Sequence, residues 1–273
     1  MHIVVTGSSS GIGRALVERL LSHGHEVEGW ARSDQQAFAA AHTSFSAASC
    51  DVADWTQVSG CAERLARRWS RLDALVCCAG QQGEIGPALK ADPLRWSETL
   101  QQNVNGVYFP LRALRSMLLS GMGRAKAVCF SGGGAAQARP GFSAYASAKT
   151  AIVRLVETIA QEESRSAIDI NAIAPGAIYT RMTEEVLSAG ASLAGKVEYE
   201  AAQKLKQAGS APLTRALDCV EWLLSPESDG LSGRLISAPW DPWNQLASSK
   251  EALGRTDVFQ LRRIRPQDRG LRL

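Results

Sequence analysis

Directly after the strand-like His2-Ile-Val-Val stands Thr6-Gly-Ser-Ser-Ser-Gly-Ile-Gly, which opens the helical run Arg14-Ala-Leu-Val-Glu-Arg-Leu-Leu. A strand, a glycine turn and a helix N-terminus in that order make an anion site. Gly7, Gly11 and Gly13 let the backbone approach a pyrophosphate, and the free N–H groups and dipole of the helix favour its charge. A glycine-rich turn alone would be only a tight connection; the flanking strand and helix give it weight. The rest of the chain continues the alternation. Strand-like stretches fall near 2–6, 26–31, 44–50, 74–78, 125–131, 168–174 and 232–238. Helical patterns fall near 11–23, 55–69, 93–120, 144–164 and 213–224. This is the pattern of βαβ units, and it predicts an α/β fold with a parallel sheet and helices on both faces.

A second segment carries chemistry. Tyr145 and Lys149 are four residues apart at the start of an apolar helical run, so both project from one face. A phenol titrates near about 10 and is a poor acid–base group at neutral pH, and a neighbouring ammonium favours its ionised form. A bare Tyr-x-x-x-Lys is usually a solvated helix face, and it is the upstream glycine turn that makes this one a candidate site.

With both segments in view the chain resembles the short-chain dehydrogenase/reductase family, from residue 1 to about residue 240. Thr6-Gly-x-x-x-Gly-Ile-Gly matches the cofactor turn. Cys77-Cys-Ala-Gly80 stands where the family has Asn-Asn-Ala-Gly, Asn103-Val-Asn-Gly106 matches the active-site asparagine segment, and Tyr145-x-x-x-Lys149 matches the catalytic pair. Pro175-Gly176, with Ile178 and Thr180 following, matches the nicotinamide-side loop. The resemblance implies a Rossmann-type doubly wound parallel sheet of about seven strands, with the cofactor at their carboxyl ends. It implies hydride transfer between a nicotinamide and a ketone, aldehyde or secondary alcohol. Tyr145 would be the proton donor or base, Lys149 would lower its pKa and hold the ribose, and Asn103 would position a water. It further implies one catalytic domain over 1–238 with a substrate lid at about 176–212, helical at 182–189 and 196–207. A homodimer or homotetramer would be built on the helices near 93–120 and 144–164, whose Val107, Leu111, Leu114, Val153 and Val156 exceed what one sheet face needs.

Cofactor choice is read at the end of the second strand, Glu26-Val-Glu-Gly-Trp-Ala-Arg-Ser. NAD-specific relatives place an acid there; here Ala31 occupies the place and Arg32 follows. A guanidinium suits a 2′-phosphate, so NADP(H) is expected over NAD. Ser9, Ser10 and Ser33 add hydroxyls, Asp34 lies late for a ribose acid, and Asp51 and Val52 match the adenine-contacting pair. Together with Gly7, Gly11, Ile12, Gly13, Ala79 and Gly80 these are the expected cofactor residues.

One family position departs. The substrate-binding serine stands thirteen positions before the tyrosine, and here that count gives Gly132 in Phe130-Ser-Gly-Gly-Gly-Ala. Ser131, one position early, is the candidate replacement. Alternation along a strand turns it to the opposite face unless the glycines form a bulge. Ser143 is a second candidate. Arg181 would face an anionic group at the lid base, or simply solvent. Trp240 and Trp243 would wall a pocket or pack. Asp92, Glu98, Glu162 and Glu163 read as helix-surface charges. The stretch 239–273, with Arg262, Arg263, Arg265, Arg269 and Arg272, reads as a solvated basic tail.

A chain of 273 residues with 45% hydrophobic content can bury one sizeable core. A net charge of +3 gives no ground for nucleic-acid binding, and no apolar run reaches the roughly 20 residues that span a bilayer. A first strand at residue 2 leaves no room for a secretory signal, and six cysteines without a framework spacing suit a reduced, cytoplasmic protein. The four histidines lack metal-ligand spacing, so no metal is expected. The leading expectation is an NADPH-dependent carbonyl reductase, or the reverse dehydrogenase, of a small molecule. The alternatives are tailoring of a sugar or secondary-metabolite intermediate, and a cofactor-binding scaffold that has lost turnover.

Overall fold

The structure is a computed structural model and describes residues 1–121, 123–207 and 211–271. These form a seven-stranded parallel sheet in the order β3-β2-β1-β4-β5-β6-β7. The strands are β1 His2–Thr6, β2 Glu26–Ala31, β3 Phe45–Ser49, β4 Ala74–Cys77, β5 Ala125–Phe130, β6 Ile168–Ala174 and β7 Leu235–Ser237. The helices are α1 Gly11–Ser22, α2 Gln36–Ala41, α3 Trp55–Ala66, α4 Pro93–Leu119, α5 Ser143–Glu162, α6 Arg181–Ala194, α7 Lys196–Gln207, α8 Ala211–Leu224 and α9 Lys250–Gly254. The winding direction reverses between β1 and β4, which opens a crevice at the carboxyl ends of those strands.

The central strands are apolar on both faces because helices cover both. Ile3, Val5, Ala74, Val76 and Val128 meet α1 and α8, while Val4, Leu75, Cys77, Ala127 and Cys129 meet α3, α4 and α5. This is the period-two alternation of a strand, read twice. The helix starts are fixed locally. Asp54 accepts N–H groups of Thr56 and Gln57 at 2.8 and 3.2 Å to start α3, and Asp92 accepts those of Leu94 and Arg95 at 2.9 Å to start α4. Asp92 is therefore a cap rather than a free surface charge. Glu163 likewise receives both arms of Arg115.

Four expectations need correction. The short α2 was not expected; its alanine-rich six residues are too few to display a helical period. The five apolar residues assigned to an oligomer interface are already buried within the chain, between 0 and 8% exposed, because α4 and α5 pack on each other and on the sheet. The tail is exposed over most of its length, its basic end included, but it is docked at particular points. Leu246 and Leu253 are buried against the α8 layer, and the buried Arg234 donates to the carbonyls of Leu253, Thr256 and Val258 at 2.6–2.9 Å. Leu235 N donates to Phe259 O at 2.8 Å, so the tail covers part of the β7 edge. Of the basic residues there, Arg262 pairs with Asp257 and Asp268, and Arg265 with Asp268. Arg272 lies outside the described residues. The last strand is shorter than its apolar run because Gly233, at φ 73°, turns the backbone before it. Among the described residues no helix is long and apolar enough to cross a membrane.

Candidate active site

The glycine turn has the shape its sequence implies. Gly7 is left-handed at φ 68°, and a Cβ there would stand 2.8 Å from Ala79 Cα, at the end of β4. A Cβ on Gly13 would stand 2.3 Å from Gly7 O. Only glycine lets β1, α1 and the β4 loop close this tightly. Thr6 Oγ1 accepts Ala79 N at 3.1 Å and ties the two strand ends across the crevice. Ser10 caps α1 without a side-chain hydrogen bond, and the buried Ser8 Oγ has no partner. The start of α1 therefore presents donors toward a space, the arrangement an anion fills.

That space is a cleft of about 550 Å³. Gly7, Ser9, Ser10, Gly11, Ile12, Gly13, Arg32, Ser33, Asp51, Val52, Ala79, Gly80 and Thr180 of the expected set line it. Asn103, Tyr145, Lys149, Pro175, Gly176 and Ile178 do not. The wall also includes Gln81, Gln102, Tyr179, Met182 and Glu184, which the motifs did not single out. Their signal was only position, since they sit beside strand ends or an expected site residue. Arg32 and Ser33 are exposed in the cleft beyond β2, whereas Asp34 is occupied as an acceptor for Gln36 N at 2.9 Å. Arg181 also lines the cleft and is loosely paired with Glu185 at 3.3 Å.

Beyond Gly80 lies the second group of residues. A Cβ at Gly80 would stand 2.9 Å from Asn103 Oδ1 and 3.4 Å from Lys149 Nζ, so both polar atoms converge at the end of the cleft wall. Asn103 Nδ2 donates to Thr99 O at 2.8 Å and Gln81 O at 2.9 Å, which pins the loop after β4 to α4. Lys149 Nζ donates to Phe130 O at 2.9 Å and lies 5.4 Å from the centre of the Tyr145 ring. Burial brings the Lys149 ammonium down to about 8, opposed by the thiols of Cys78, Cys129 and Cys77.

Tyr145 is 8% exposed, enclosed by Phe142 and by Val186, Ala194 and Ala202 of α6 and α7, with Met182 at the edge. Burial pushes its phenol above the usual value; the Arg139 guanidinium pulls it down and the Cys78 thiol adds to the rise. Two cations thus flank the ring, Lys149 and Arg139, and Arg139 is one that the sequence motifs did not single out. Arg139 Nε and Nη2 donate to the two carboxylate oxygens of Glu198 on α7 at 3.0 and 2.7 Å. Its guanidinium carbon lies 3.9 Å from the centre of the Phe142 ring and 5.6 Å from that of Tyr145.

The serine question also has a geometric answer. Ser131 is buried and its Oγ donates to Lys149 O at 3.1 Å, so the hydroxyl joins β5 to α5 rather than facing a substrate. Strand alternation holds, without the bulge that would have turned it. A Cβ on Gly132 would stand 2.8 Å from Tyr145 Oη, so Gly132 is the residue beside the phenol. Ser143 Oγ accepts Trp96 Nε1 at 3.0 Å. Trp240 is 85% exposed, and Trp243 packs on Trp222 and donates to Ala238 O. Neither tryptophan lines the cleft.

Compared with known proteins, residues 1–190 match the family described as short chain dehydrogenase. The chain belongs to the short-chain dehydrogenase family. The short chain dehydrogenase mpl6 of Monascus purpureus is 30% identical over 265 residues, covering 92% of this chain and 85% of that protein. Levodione reductase of Leifsonia aquatica is 31% identical over 191 residues, 67% of this chain and 71% of that one. Among solved structures, a short chain dehydrogenase from Escherichia coli CFT073 complexed with NADPH superposes with a TM-score of 0.73. It is 25% identical and the match covers 87% of this chain and 95% of that one. The doubly wound sheet and its crevice are thus those of a short-chain dehydrogenase.

Proposed function

We propose that this short-chain dehydrogenase interconverts a ketone or aldehyde and a secondary alcohol on a small molecule, with NADP(H) as cofactor. The observation that carries the reading is the convergence of Lys149 Nζ and Asn103 Oδ1 on Gly80, where the dinucleotide cleft ends, with Tyr145 on the same helix face as Lys149. The cleft suits a dinucleotide phosphate: glycine cradles that a Cβ would fill, an unpartnered buried Ser8 hydroxyl and an uncapped helix start. When bound, the nicotinamide supplies or accepts the hydride.

The chain's own residues then handle the proton and the geometry. In the reducing direction Tyr145 Oη gives its proton to the carbonyl oxygen as negative charge grows there, and in the oxidising direction it takes the proton back. Burial keeps the phenol protonated before reaction, which suits a proton donor. Lys149 holds the ribose and, below about pH 8, its positive charge favours the phenolate left behind. Asn103 fixes the loop carrying Gly80 and Gln81 and offers its carbonyl oxygen to a water leading from Lys149. Ser131 anchors the backbone of Lys149. Arg32 and Ser33 receive the 2′-phosphate, which favours NADP(H) over NAD. Residues 1–238 are the catalytic body, with 176–212 as its lid, and the enzyme assembles as a homodimer or homotetramer.

A spectrophotometric scan of carbonyl compounds with NADPH tests the reading. Tyr145→Phe should bind NADPH normally and lose turnover by the roughly 10²–10⁴-fold of a positioned acid–base group. An unchanged rate in that variant would refute it.

A further inference from the structure

Arg139 lies in none of the motifs that carry the family likeness, yet it occupies the space between the proton-transfer residue and the lid. It ends the glycine-rich turn that follows β5, and its side chain is only 18% exposed. Both arms of its guanidinium are taken by Glu198, fifty-nine residues away on α7. A planar fork on a carboxylate fixes direction as well as distance, so Glu198 sets where the charge sits. That charge stacks on Phe142 and lies along the edge of the Tyr145 environment. α6 is kinked at Gly190, φ 73°, and meets α7 at Gly195, φ 83°, and nothing lies within 4 Å of either missing Cβ. Such open left-handed glycines let a segment swing with little steric resistance.

We propose that Arg139 is a positioning residue for proton transfer at Tyr145, held in place by Glu198, so that seating of the lid and readiness of the phenol are coupled. This rests on the reading of Tyr145 as the proton-transfer group. The charged and titratable groups that face the phenol are few. Lys149 lies one turn along α5, Cys78 stands at the end of β4, and Arg139 sits in the loop before α5 with Glu198 of α7 behind it. α6 presents Met182 and Val186 to this face, and its Glu184 lines the cofactor cleft instead. Gly132 offers no hydroxyl to share the task. A positive charge favours the phenolate, so with Arg139 in place the phenol releases its proton at lower pH than without it. Lid opening that carries Glu198 away would free the guanidinium to leave, and the phenol would then hold its proton more firmly.

The test uses Arg139→Met, Arg139→Lys and Glu198→Gln in the full chain. Carbonyl reduction needs the protonated phenol and falls as pH rises through its titration. Removing the charge should therefore move that alkaline limb to higher pH and lower alcohol oxidation at neutral pH by on the order of tenfold. Arg139→Lys should return the limb, because it restores charge, while KM stays raised, because an ammonium cannot fork Glu198. Glu198→Gln should raise KM and add little to Arg139→Met in the double variant. A limb that stays in place in Arg139→Met, or Met and Lys variants that behave alike, would mean a merely structural arginine. A second readout is free of turnover: NMR of ring-labelled tyrosine, with the Tyr145 resonance assigned by its loss in Tyr145→Phe. Its titration should begin at higher pH in Arg139→Met; an unmoved onset overturns the inference. A moved onset in a protein that turns over no carbonyl or alcohol sustains the coupling and sinks the proposed reaction instead.

Discussion

Substituting Gly132 with alanine places one methyl group against the phenol, and the structure sets the size of the effect. The new Cβ would stand 2.8 Å from Tyr145 Oη, and ordinary contact begins at 3.4 Å, so the two must separate by about 0.6 Å. The ring has little room to retreat, with Phe142, Val186, Ala194 and Ala202 packed around it. Either the tyrosine leaves its rotamer, at about 0.5–1.5 kcal/mol, or the end of β5 shifts; overpacking of this kind typically costs about 1–3 kcal/mol. At about 2–4 °C per kcal/mol for a chain near this size, the melting temperature should fall by roughly 2–12 °C. A displacement of about 1 Å at a reacting group can cost about 10²-fold, so kcat should fall by tenfold or more while NADPH affinity holds. Gly132→Ser carries the same Cβ and should fare no better, although it adds the hydroxyl that relatives have there. Differential scanning fluorimetry, cofactor titration and initial rates measure all three quantities. Wild-type melting and wild-type kcat in Gly132→Ala would show that the phenol is not wedged against this strand.

Three further outcomes follow from particular contacts. Arg32→Ala should weaken NADPH by about 1–3 kcal/mol and leave NADH unchanged, measured by fluorescence titration; an equal loss for both would remove Arg32 from the phosphate. Asp169→Asn should cost about 1.5–3 kcal/mol in chemical denaturation, because Lys126, 2% exposed, loses a carboxylate at 2.9 Å while keeping Asp229 at 2.6 Å, and Arg124 loses its bidentate partner. Burial raises the Asp169 carboxyl, but Arg124, Lys126 and Gly230 N–H outweigh it and hold it below the usual value, so its contribution is full above about pH 4 and lost as pH falls through the folded value. The gap between wild type and Asp169→Asn should therefore narrow in acid, and a gap constant down to pH 2 would contradict this. Arg234→Met strips donors from three carbonyls of the tail, and hydrogen exchange should quicken at Leu235 and Leu261, whose amides are bonded to Phe259 O and Glu157 Oε1. Unchanged protection there would mean the tail docks without that arginine.

The sheet was legible because its signals are local and redundant. Apolar runs mark β1 at residues 3–5, β4 at 74–77 and β5 at 127–130, while β2, β3 and β6 interleave polar residues and are legible from their place between helical patterns. The glycine turn was equally plain, since its constraint is steric and acts between neighbours in sequence. The docking of the tail was missed for the converse reason. Its composition is basic and proline-containing, as in solvated termini, but its docking depends on the buried Arg234 and on an open strand edge. Neither is visible in the tail's own residues. The interface residues on α4 and α5 failed similarly, because a surplus of apolar positions says that something covers them, and here the two helices cover each other.

The Tyr145 end of the site divides along the same line. Tyr145 and Lys149 sit one helical turn apart, so their shared face is a property of the helix and could be read from spacing. Ser131 was the candidate for the missing serine, but its hydroxyl donates to Lys149 O, the side that period two along β5 gives it without a bulge. What sequence could not supply was the environment of the phenol. Arg139 reaches it only because the loop from Gly132 to Phe142 folds back and α7 comes down with Glu198. The absence of a serine at Gly132 therefore does not by itself argue for a decayed site. A side chain at Gly132 would crowd Tyr145 Oη, so the glycine leaves the phenol room, and a guanidinium clamped by Glu198 lies 5.6 Å from the ring. If Tyr145 transfers the proton as proposed, Gly132 leaves its hydroxyl room that a side chain would fill, and Arg139, held by Glu198, sets a positive charge beside its ring.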